Sequence, residues 1–577
     1  MRFEVKPEVL ASKGVALRNY AGMGREIDEL IKQALQRLGL PEVDFGVEHP
    51  SEEAHGDFST NVALRLGKRE LAQNIAGEIN KKLPEWLAKV EVAGPGFINF
   101  YLSEYYLLEE LKRVLDLGEK YGSNQLRRGE KVMVEFTDPN PFKEFHIGHL
   151  YSNAVGEALC RLWEFNGAMV RRVNYQGDVG MHVAKALWGW RRMLNAKLQM
   201  LNLEKKPLKE RVEILGQAYA EGAKVYEEDN IAKAEIEKIN QQVYSHDPEI
   251  EELYQKGRAW SLEYFETIYA RLGTKFDYYY FESQAAEVGM ELVQGGLKRG
   301  IFKQSKGAIV FEGPHTRVFI NTLGLPTYEA KELGLAPTKY KDWAYDRSVI
   351  VTANEINEYF KVLIAAMKLV EPELGAKTEH VGHGFVKLPE GKMSSRTGNI
   401  ITGEWLVDEV KRKVLEVMKD GVLRQAQDAT AEAVAIGAVK YALLKSSIGQ
   451  DIVFDFDKSV SLQGNSGPYL QYTYARAKSV LQKALASQGV ALRSMNTEEL
   501  TILRWIYRFP EVVITAGERY EPSQISTYLY ELAQRFNTFY NKHTILGSDF
   551  RLALTAAVGQ VIKNGLWLLG IKAPEKM

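Results

Sequence analysis

One cysteine, Cys160, stands among the 577 residues of the chain. A framework of internal disulfides and a cysteine-based zinc finger are therefore excluded. The ten histidines are scattered and form no H-E-x-x-H pattern, so the sequence predicts no metal site in the protein. Cys160 falls within an apolar helical pattern, and we expect its thiol to pack in the core rather than to take part in chemistry.

Long apolar segments are also missing. No run of about 18 uncharged apolar residues occurs, which is the length that a membrane-spanning helix needs. The closest, residues 552–571, is interrupted by Gln560, Lys563 and Asn564. The N-terminal segment contains no apolar core of a signal peptide. The sequence therefore predicts a cytoplasmic protein with no membrane partner.

A net basic charge is absent as well, because the formal net charge is −1 at pH 7. The overall charge therefore gives no indication of a nucleic-acid partner. This does not exclude RNA, since a large enzyme can bind RNA through local basic patches while it stays neutral overall. The length by itself suggests about three or four domains.

Residues 1–110 predict a small α+β module. Helical spacing marks residues 27–38, and the strands 89–92 and 97–102 flank the turn Gly94-Pro95-Gly96. The module precedes a polar connector, after which the pattern of the chain changes.

Alternation in the second of these strands places Phe97, Asn99 and Tyr101 on one face. An aromatic-polar-aromatic face can stack on an unstacked base and read its edge. The same alternation is equally typical of an ordinary half-exposed strand, so the pattern leaves both interpretations open.

A strand-helix-strand unit opens the predicted second domain, residues 111–400. Residues 131–136 form a nearly continuous apolar run, as in a buried parallel strand, and a helical pattern extends from 148 to 165. Residues 169–175 read as the next strand. In such a unit a nucleotide binds at the carboxyl end of the first strand.

Helical patterns dominate the remaining chain. The charged stretch 182–300 predicts a helical insertion that splits the α/β domain, whose strand pattern resumes at Val349-Ile350-Val351. Residues 401–460 are predicted to form a connector, and 461–577 a helical domain. The predicted fold class is therefore α/β, with a Rossmann-type sheet domain, an N-terminal α+β module and a C-terminal all-α domain.

The segment His146-Ile147-Gly148-His149 joins the first buried strand to the helix after it. Gly148 lets a phosphate approach the backbone, and the helix start offers free N–H groups. Two imidazoles three residues apart can donate hydrogen bonds to phosphate oxygens and stabilise charge that develops during attack at phosphorus. With Lys143 as a nearby cation, the segment predicts a catalytic phosphate site.

A second basic loop, residues 391–398, follows a strand-like segment much later in the chain. A glycine stands at each end of this loop. Lys392 and Arg396 supply positive charge, and Met393, Ser394 and Ser395 lie between them. A mobile loop of this composition can close on a triphosphate and stabilise departing pyrophosphate. Taken alone, it equally fits a solvated surface loop.

Together the two segments resemble the HIGH and KMSK signatures of class I aminoacyl-tRNA synthetases. Nucleotidyltransferases share an H-x-G-H segment, but they are usually much shorter and lack a helical C-terminal domain. The resemblance implies the class I Rossmann-type catalytic fold, with ATP bound by His146, Gly148, His149, Lys392, Met393, Ser394 and Ser395.

Further segments are similar to arginyl-tRNA synthetases over nearly the whole chain. Residues 134–141 resemble the V-E-F-S-S-P-N-P segment of that family, 174–178 its N-Y-x-G-D segment, and 464–472 the start of its anticodon-binding domain. The N-terminal module resembles the extra domain that is peculiar to these enzymes. Asp138 departs from the pattern, because the family often has serine there.

The resemblance also implies an arginine pocket. Glu135 and Asn140 match family positions that contact the substrate, and Asn354 is a looser candidate. Tyr328 and Glu332 resemble the Tyr-x-x-x-Asp pair that holds the guanidinium, with glutamate here in place of aspartate. A guanidinium prefers a carboxylate that it can meet with two hydrogen bonds. Without the resemblance, Tyr328 and Glu332 would be read as an ordinary pair on one helix face.

The implied reaction is ATP-dependent attachment of L-arginine to tRNA through arginyl-adenylate, with Mg²⁺ expected alongside ATP. The helical domain is expected to read the anticodon loop, and the N-terminal module is expected to read the tRNA elbow. Most members of the family are monomers, so a monomer is expected here. The residues expected to contact tRNA are Phe97, Asn99, Tyr472, Arg476, Tyr540, Asn541 and Met577.

Two alternatives remain open at the level of sequence. One is a class I synthetase for another amino acid, such as glutamate or cysteine, against which the acidic Glu135 and Glu332 argue. The other is a non-catalytic relative that binds RNA, which the two intact signatures disfavour. The amino-acid dependence of pyrophosphate exchange would distinguish all three.

Overall fold

A computed structural model describes residues 22–193, 203–389, 401–417, 428–484 and 495–577. The chain forms two compact units. They consist of Met1–Leu126 with Tyr469–Leu568 and Lys572–Met577, and of Arg127–Pro468 with Leu569–Ile571. None of the helices in the described ranges combines the length and apolar character that a bilayer span needs.

The N-terminal part of the first unit is an antiparallel sheet with helices packed against it. Its strands lie in the order β1-β2-β4-β3, and the predicted hairpin around Gly94 is confirmed. The elements are α1 (Gly22–Arg37), β1 (Val47–Glu48), β2 (Phe58–Thr60), α2 (Val62–Arg65), α3 (Leu71–Asn80), β3 (Leu87–Ala93), β4 (Phe97–Leu102) and α4 (Glu104–Leu117).

The second unit is built on a parallel sheet. Its elements as far as the start of the small antiparallel sheet are β5 (Lys131–Phe136), α5 (Ile147–Phe165), β6 (Met169–Gln176), α6 (Met181–Met193), α7 (Leu208–Glu228), α8 (Asn230–Tyr244), α9 (Pro248–Leu272), β7 (Tyr278–Phe281) and α10 (Glu282–Lys298). Helices α6 to α9 lie between two neighbouring strands of the sheet, so the predicted insertion 182–300 also contains strand β7 and helix α10.

The remaining elements of this unit include two further strands of the parallel sheet. They are β8 (Lys303–Ser305), β9 (Ala308–Glu312), β10 (Thr316–Ile320), α11 (Tyr328–Asp342), β11 (Arg347–Ala353), α12 (Asn357–Val370), α13 (Pro372–Lys377), β12 (Thr378–His383), β13 (Val386–Lys387), α14 (Gly403–Val417), α15 (Asp428–Leu444), β14 (Ile452–Val453) and α16 (Phe456–Ser459).

The strand order in the parallel sheet is β12-β11-β5-β6-β7. The chain runs outward from β5 in one direction through β6 and β7, and in the other through β11 and β12. Ligands bind in α/β sheets at the carboxyl ends of the strands, beside such a reversal of strand order. The apolar side chains of β5 are buried on both faces, as a central parallel strand requires. Cys160 is also buried, in α5.

Helices complete the first unit: α17 (Gly467–Lys483), α18 (Thr497–Ile506), α19 (Phe509–Arg519), α20 (Pro522–Lys542) and α21 (Asp549–Leu568). One face of α20 is apolar, and its side chains Leu529, Leu532, Phe536 and Phe539 are fully buried.

The N-terminal module packs on these helices through charged side chains. Glu53 accepts hydrogen bonds from Arg535 at 2.8 Å and from the Trp505 indole at 3.2 Å. The fully buried Asp57 forms an ion pair with Arg504 at 3.3 Å. The buried carboxylate of Asp57 therefore has its cationic partner in the helices, and Glu53 adds a partly exposed pair.

Candidate active site

The loops that follow β5, β6, β7, β11 and β12 meet at the carboxyl edge of the sheet. Asn140, Lys143, His146, His149 and Asn354 lie on these loops or at the start of the helices that they lead into. Glu135 lies on β5 itself, and Tyr328 and Glu332 lie on α11, which follows β10. The predicted loop residues Lys392, Met393, Ser394 and Ser395 lie outside the described residues.

The loop from β5 to α5 is strained. Thr137, Asp138 and Phe142 all have positive φ angles, of 81°, 45° and 67°. Such backbone persists only where surrounding groups fix it, and it concentrates at functional sites. Here the Thr137 amide donates to Ser152 Oγ at 2.9 Å, and the Phe142 amide donates to Ser261 Oγ at 3.0 Å. The loop is therefore held from α5 on one side and from the helical insertion on the other.

Helix α5 begins with a reciprocal cap made by the two histidines. The Gly148 amide donates to His146 Nδ1, and the His146 amide donates to His149 Nδ1, both at 3.2 Å. The two rings stack with centroids 3.6 Å apart. Because each Nδ1 accepts a hydrogen bond, the proton of each neutral ring lies on Nε2, which is left as a donor.

Both imidazoles are neutral at physiological pH. Burial lowers the pKa of His146 to about 4, with Lys143 and His383 adding to the shift. Burial also lowers the pKa of His149 well below its usual value, and the neighbouring His146 and Lys143 add to this. Two neutral N–H donors at a helix N-terminus can bind an anion, and they can do so at neutral pH without first gaining a proton.

A cavity of about 250 Å³ opens beside these histidines. It lies between the start of α5 and the ends of β11 and β12, where the strand order reverses. Its lining residues are His146, Ile147, Gly148, Ala353, Glu355, His383, Gly384, Phe385, Val386 and Ile401. An apolar cavity next to anion donors has the chemistry that a nucleoside and its first phosphate need.

Acidic side chains form a largely buried cluster between β5 and α11, which we refer to as the acidic pocket. Glu135 and Lys339, each 2% exposed, form an ion pair of 2.6 Å. Within the described part of the chain, the Glu332 carboxylate has no hydrogen bond or ion pair, although the residue is only 9% exposed. Burial raises the pKa of Glu332 well above its usual value, and Glu135 raises it further while Lys339 opposes the shift.

Asp138 adds a third carboxyl to this pocket. Its Oδ1 accepts a hydrogen bond from the Tyr175 amide of β6 at 2.8 Å. Burial and the charge of Glu135 raise its pKa well above the usual value of an aspartate. Three carboxyls therefore share one cation, Lys339, and the pocket as it stands has an excess of acidic groups.

A second ion pair closes the other side of the pocket. Lys331 of α11 pairs with Glu282 of α10, and both are buried. The Asn140 amide packs against Gly177, where an added Cβ would lie 2.3 Å from Asn140 Oδ1. The small residue at 177 therefore makes room for the Asn140 side chain beside Glu282.

Buried polar atoms without a partner also face this region. Among the described residues, Tyr175 Oη, Gln176 Oε1 and His182 Nδ1 are buried without hydrogen bonds. Burial raises the pKa of Tyr175 well above its usual value, and the charges of Glu282 and Glu332 raise it further. Buried polar groups in native proteins are normally satisfied, so a cluster of exceptions indicates a ligand or water site.

The remaining predicted arginine-binding residues lie toward the edges. Tyr328 begins α11 and is 56% exposed, with Lys331 Nζ 4.6 Å from the centre of its ring. Asn354 starts a short turn between Ala353 and Glu355, both of which line the cavity beside His146. Lys143 lies over the Tyr219 ring at 4.8 Å.

In the first unit, Phe97 and Asn99 border a cavity of about 560 Å³. Phe97 is 39% exposed and available for stacking, whereas Asn99 is 3% exposed. The Asn99 side-chain oxygen accepts a hydrogen bond from Ser59 Oγ at 2.8 Å, which leaves its amide nitrogen as the free end. His49, Ser51 and His55 line the same cavity.

The structure brings together three of the residues predicted to contact the anticodon. The Arg476 guanidinium lies 4.8 Å from the ring centres of both Tyr472 and Tyr540, and it donates to Asn537 at 2.6 Å. Asn541 is exposed at the end of the same helix as Tyr540. Met577 belongs to a tail that is tied to α17 through Gln471, which donates to the Lys572 carbonyl at 2.7 Å.

Three family models match the chain. Residues 110–456 match the catalytic domain of class I tRNA synthetases of the R type, which is more than half of the chain. Residues 470–577 match the DALR anticodon-binding domain, and 25–102 match the arginyl-tRNA synthetase N-terminal domain.

The chain belongs to the arginyl-tRNA synthetase family. It is 31% identical to an arginine–tRNA ligase of Phocaeicola vulgatus, with 89% of this chain and 91% of that one covered. It is 30% identical to one of Clostridium perfringens, over 96% and 99%. Its reaction is the attachment of arginine to tRNA, so the alternatives of another amino acid and of a non-catalytic RNA-binding relative are set aside.

Solved structures agree on the fold of this synthetase. The arginyl-tRNA synthetase of Thermus thermophilus covers 96% of this chain and all of its own, with a TM-score of 0.78 at 24% identity. The enzyme of Plasmodium falciparum has a TM-score of 0.74 at 21% identity, over 96% and 99%. The predicted α/β fold class with a class I catalytic domain and a helical C-terminal domain is thereby confirmed.

Several residues of the synthetase site escaped the sequence analysis. Lys339, Lys331 and Glu282 are separated from their partners by long stretches of chain, and a lone charged residue in a helix is usually solvated. His383 gave a usable signal, because it ends a parallel strand at the same sheet edge as the other site residues.

Gly177 offers a test of the space around Asn140. We expect Gly177→Ala to displace the Asn140 side chain and lower kcat/KM for arginine about 10-fold to 100-fold, on the scale of a site misplaced by about 1 Å. Arginine-dependent pyrophosphate exchange measures this. Gly295→Ala is the matched control, since an added Cβ there has no neighbour within 4 Å. Equal activity of both variants would contradict the role given to Gly177.

Proposed function

We propose that the carboxyl edge of the parallel sheet carries out both steps of arginine attachment. In the first step, an oxygen of the arginine carboxylate bonds to the α-phosphorus of ATP while the bond to the β-phosphate breaks, so that pyrophosphate leaves. In the second step, a hydroxyl of the terminal ribose of tRNA attacks the activated carbonyl carbon, and AMP leaves. Neither step needs a covalent bond to the protein, so positioning and charge stabilisation supply the catalysis.

The buried and unpartnered Glu332 carboxylate beside Glu135 carries this proposal. A buried carboxyl without a partner is unfavourable for folding, and its presence is explained by a cationic ligand that completes it. The planar guanidinium of arginine suits a pocket of several carboxyls because it donates in fixed directions to more than one of them. Asn140, Tyr328 and Asn354 would hold the rest of the substrate.

His146 and His149 act on the phosphate side. Their Nε2–H groups would donate to the oxygens of the α-phosphate as negative charge develops there, and Lys143 would add positive charge. Gly148 has no side chain, so the nucleotide could approach the backbone closely at the start of α5. The adenosine would occupy the cavity beside Phe385 and His383.

Lys392 would stabilise the departing pyrophosphate, assisted by Met393, Ser394 and Ser395 of the same segment. The described residues on either side of this segment support the assignment, because Val386 and Ile401 both line the cavity beside His146. The Ile147 amide also donates to the Ile401 carbonyl at 3.0 Å.

Mg²⁺ enters as the partner of the ATP phosphates, whose charge it neutralises. In the part of the chain that the structure describes, no group of three or more His, Cys, Asp or Glu side chains is arranged to hold a metal ion. The metal would therefore arrive with the nucleotide as part of the substrate complex.

Transfer RNA would bind to the first unit. The helical domain, with Tyr472, Arg476, Tyr540, Asn541 and Met577, would contact the anticodon loop, where a stacked guanidinium and two aromatic rings suit unpaired bases. The N-terminal module would hold the elbow through Phe97 and Asn99. We further propose a monomer in the cytoplasm, where charged tRNA is used.

Pyrophosphate exchange tests the activation step directly. The full-length enzyme, ATP, labelled pyrophosphate and each amino acid in turn are incubated with and without tRNA. Exchange is expected with arginine and with no other amino acid, and more strongly when tRNA is present. The absence of exchange with every amino acid, even with tRNA present, would overturn the proposed chemistry.

The role of the N-terminal cavity is better tested by a point variant than by truncation. Deleting the module would leave Arg535 and Arg504 without the carboxylates that they meet in the structure. We expect Phe97→Ala to raise the KM for tRNA about 10-fold, since stacking of one base on an aromatic ring contributes about 1–3 kcal/mol. Tyr105→Ala removes another exposed aromatic side chain of the same unit as the control. An unchanged KM for tRNA in Phe97→Ala would leave the module with a structural role only.

A further inference from the structure

Asp138 is the feature of the pocket that the family pattern does not explain. It stands where arginyl-tRNA synthetases often have serine, so this pocket has one more carboxyl than the pattern requires. Its backbone is in the left-handed region, with a φ of 45°. Its Oδ1 accepts a hydrogen bond from the Tyr175 amide at 2.8 Å, so the side chain reaches from the loop after β5 to the end of β6.

The groups around Asp138 and Glu332 come from four elements. Glu135 lies on β5, Lys339 and Glu332 on α11, Tyr175 on β6, and Glu282, paired with Lys331, on α10. Lys339 is already engaged by Glu135 at 2.6 Å. Lys331 is already engaged by Glu282. No cation of the described pocket is therefore left over for Asp138 and Glu332.

We propose that Asp138 is a further arginine-binding residue, and that it and Glu332 form an acid pair that releases a proton to solvent when the substrate guanidinium enters. Two carboxyls in one buried site cannot both hold their negative charge without a cation, so the pair keeps a proton in the empty enzyme. The guanidinium supplies the cation. The carboxyl O–H bond then breaks, and the proton passes to water while arginine keeps its own charge.

The raised pKa values of Asp138 and Glu332 agree with this arrangement. The sign of the effect on arginine binding follows from linkage. Below the pKa of the empty pair, binding must displace a proton, so affinity falls about tenfold for each pH unit as the pH is lowered. Above that pKa, the pair is already ionised and affinity no longer depends on pH. The guanidinium itself stays charged throughout.

Asp138→Asn removes the negative charge of the side chain and keeps its shape. The Asn Oδ1 can still accept the Tyr175 amide, and asparagine tolerates a positive φ better than most residues. Asp277→Asn is the matched control, because Asp277, which directly precedes β7, accepts the Arg172 amide of the same strand at 2.8 Å, three residues before Tyr175. Both variants lose one carboxylate that caps a β6 amide, and only the first loses it in the pocket.

The experiment is calorimetric titration of arginine into full-length enzyme at one neutral pH, in phosphate and in Tris, whose ionisation enthalpies differ. The wild type and Asp277→Asn are expected to release about one proton per arginine. Asp138→Asn is expected to release much less, to bind arginine about tenfold more weakly at pH 8, and to show a flatter pH profile of KM with little change in kcat.

Equal proton release by Asp138→Asn and the wild type would overturn the inference, as would a wild type that releases none. The inference rests on the proposed arginine pocket, and the two can fail separately. If Glu332→Gln binds arginine as tightly as the wild type, the pocket itself is misassigned. If Glu332→Gln loses binding while Asp138→Asn behaves as the wild type, only the role of Asp138 is wrong.

Discussion

Replacing His149 by alanine is expected to slow arginine-dependent pyrophosphate exchange about 100-fold to 1,000-fold. This is the usual effect of losing one donor that stabilises charge in a transition state. The substitution removes the His149 Nε2–H and also the Nδ1 that accepts the His146 amide. Because the donor acts in the transition state, most of the loss should fall on kcat and little on the KM for arginine.

The same geometry predicts how the exchange rate depends on pH. Since the pKa of His146 is about 4 and that of His149 is also lowered, both rings stay neutral between pH 6 and pH 8. Ionisation of these histidines should therefore leave the rate constant in that range. A rate that falls tenfold for each unit above pH 6.5 would show that the charged imidazolium is the working form, and would contradict the neutral-donor assignment.

His315→Ala provides the control for His149→Ala. His315 lies in the same unit, is mostly exposed, pairs with Glu358 at 3.2 Å and does not line the cavity beside His146. Its loss should leave exchange within about twofold of wild type, as for most exposed positions. Thermal unfolding of both variants checks that the folds are intact. A His149→Ala enzyme as active as the control would remove His149 from the mechanism.

Much of this architecture could be predicted because local signals agreed with the global fold. The run at 131–136 is apolar throughout, and the structure buries it in the middle of the parallel sheet. Gly148 and a change of periodicity mark the junction at His146, and the helix begins there, at Ile147. Where buried periodicity and turn residues point to the same boundary, sequence alone fixes the element.

The electrostatics of the pocket could not be predicted in the same way. Lys339 and Glu135 are 204 residues apart, and a lysine in a helix that ends in other charged residues reads as solvated. Only the packing of α11 on the sheet brings the two together. Which ring nitrogen of each histidine carries the proton could not be predicted either, because it depends on the hydrogen bonds that the two Nδ1 atoms accept from backbone amides at the start of α5. Sequence patterns indicate which groups are present, whereas charge states depend on tertiary neighbours.

Glu332 is the residue whose replacement should most affect arginine itself. We expect Glu332→Gln to lower kcat/KM for arginine about 100-fold or more, since truncating one partner of a buried charged hydrogen bond typically costs 2–5 kcal/mol. An amide keeps the shape of the side chain but can no longer balance the guanidinium. Exchange assays over a range of arginine concentrations, with tRNA present, measure the loss. Retention of wild-type kcat/KM would remove Glu332 from the pocket.

The stability of the same variant should change in the opposite direction. Because the pKa of Glu332 is raised in the folded enzyme, its contribution to stability is present at low pH and is lost as the pH rises through the folded pKa. Glutamine cannot ionise, so Glu332→Gln should unfold at a higher temperature than the wild type at pH 8, and the two should converge near pH 4.

Glu135→Gln gives the contrast that makes this result informative. That substitution leaves Lys339 buried without its carboxylate, and breaking such a pair typically costs about 3–5 kcal/mol. Glu135 should therefore be needed for folding, whereas Glu332 should be needed only for binding arginine. If Glu332→Gln is as destabilised as Glu135→Gln, then Glu332 has a structural partner, and the cationic ligand that we assign to it is not arginine.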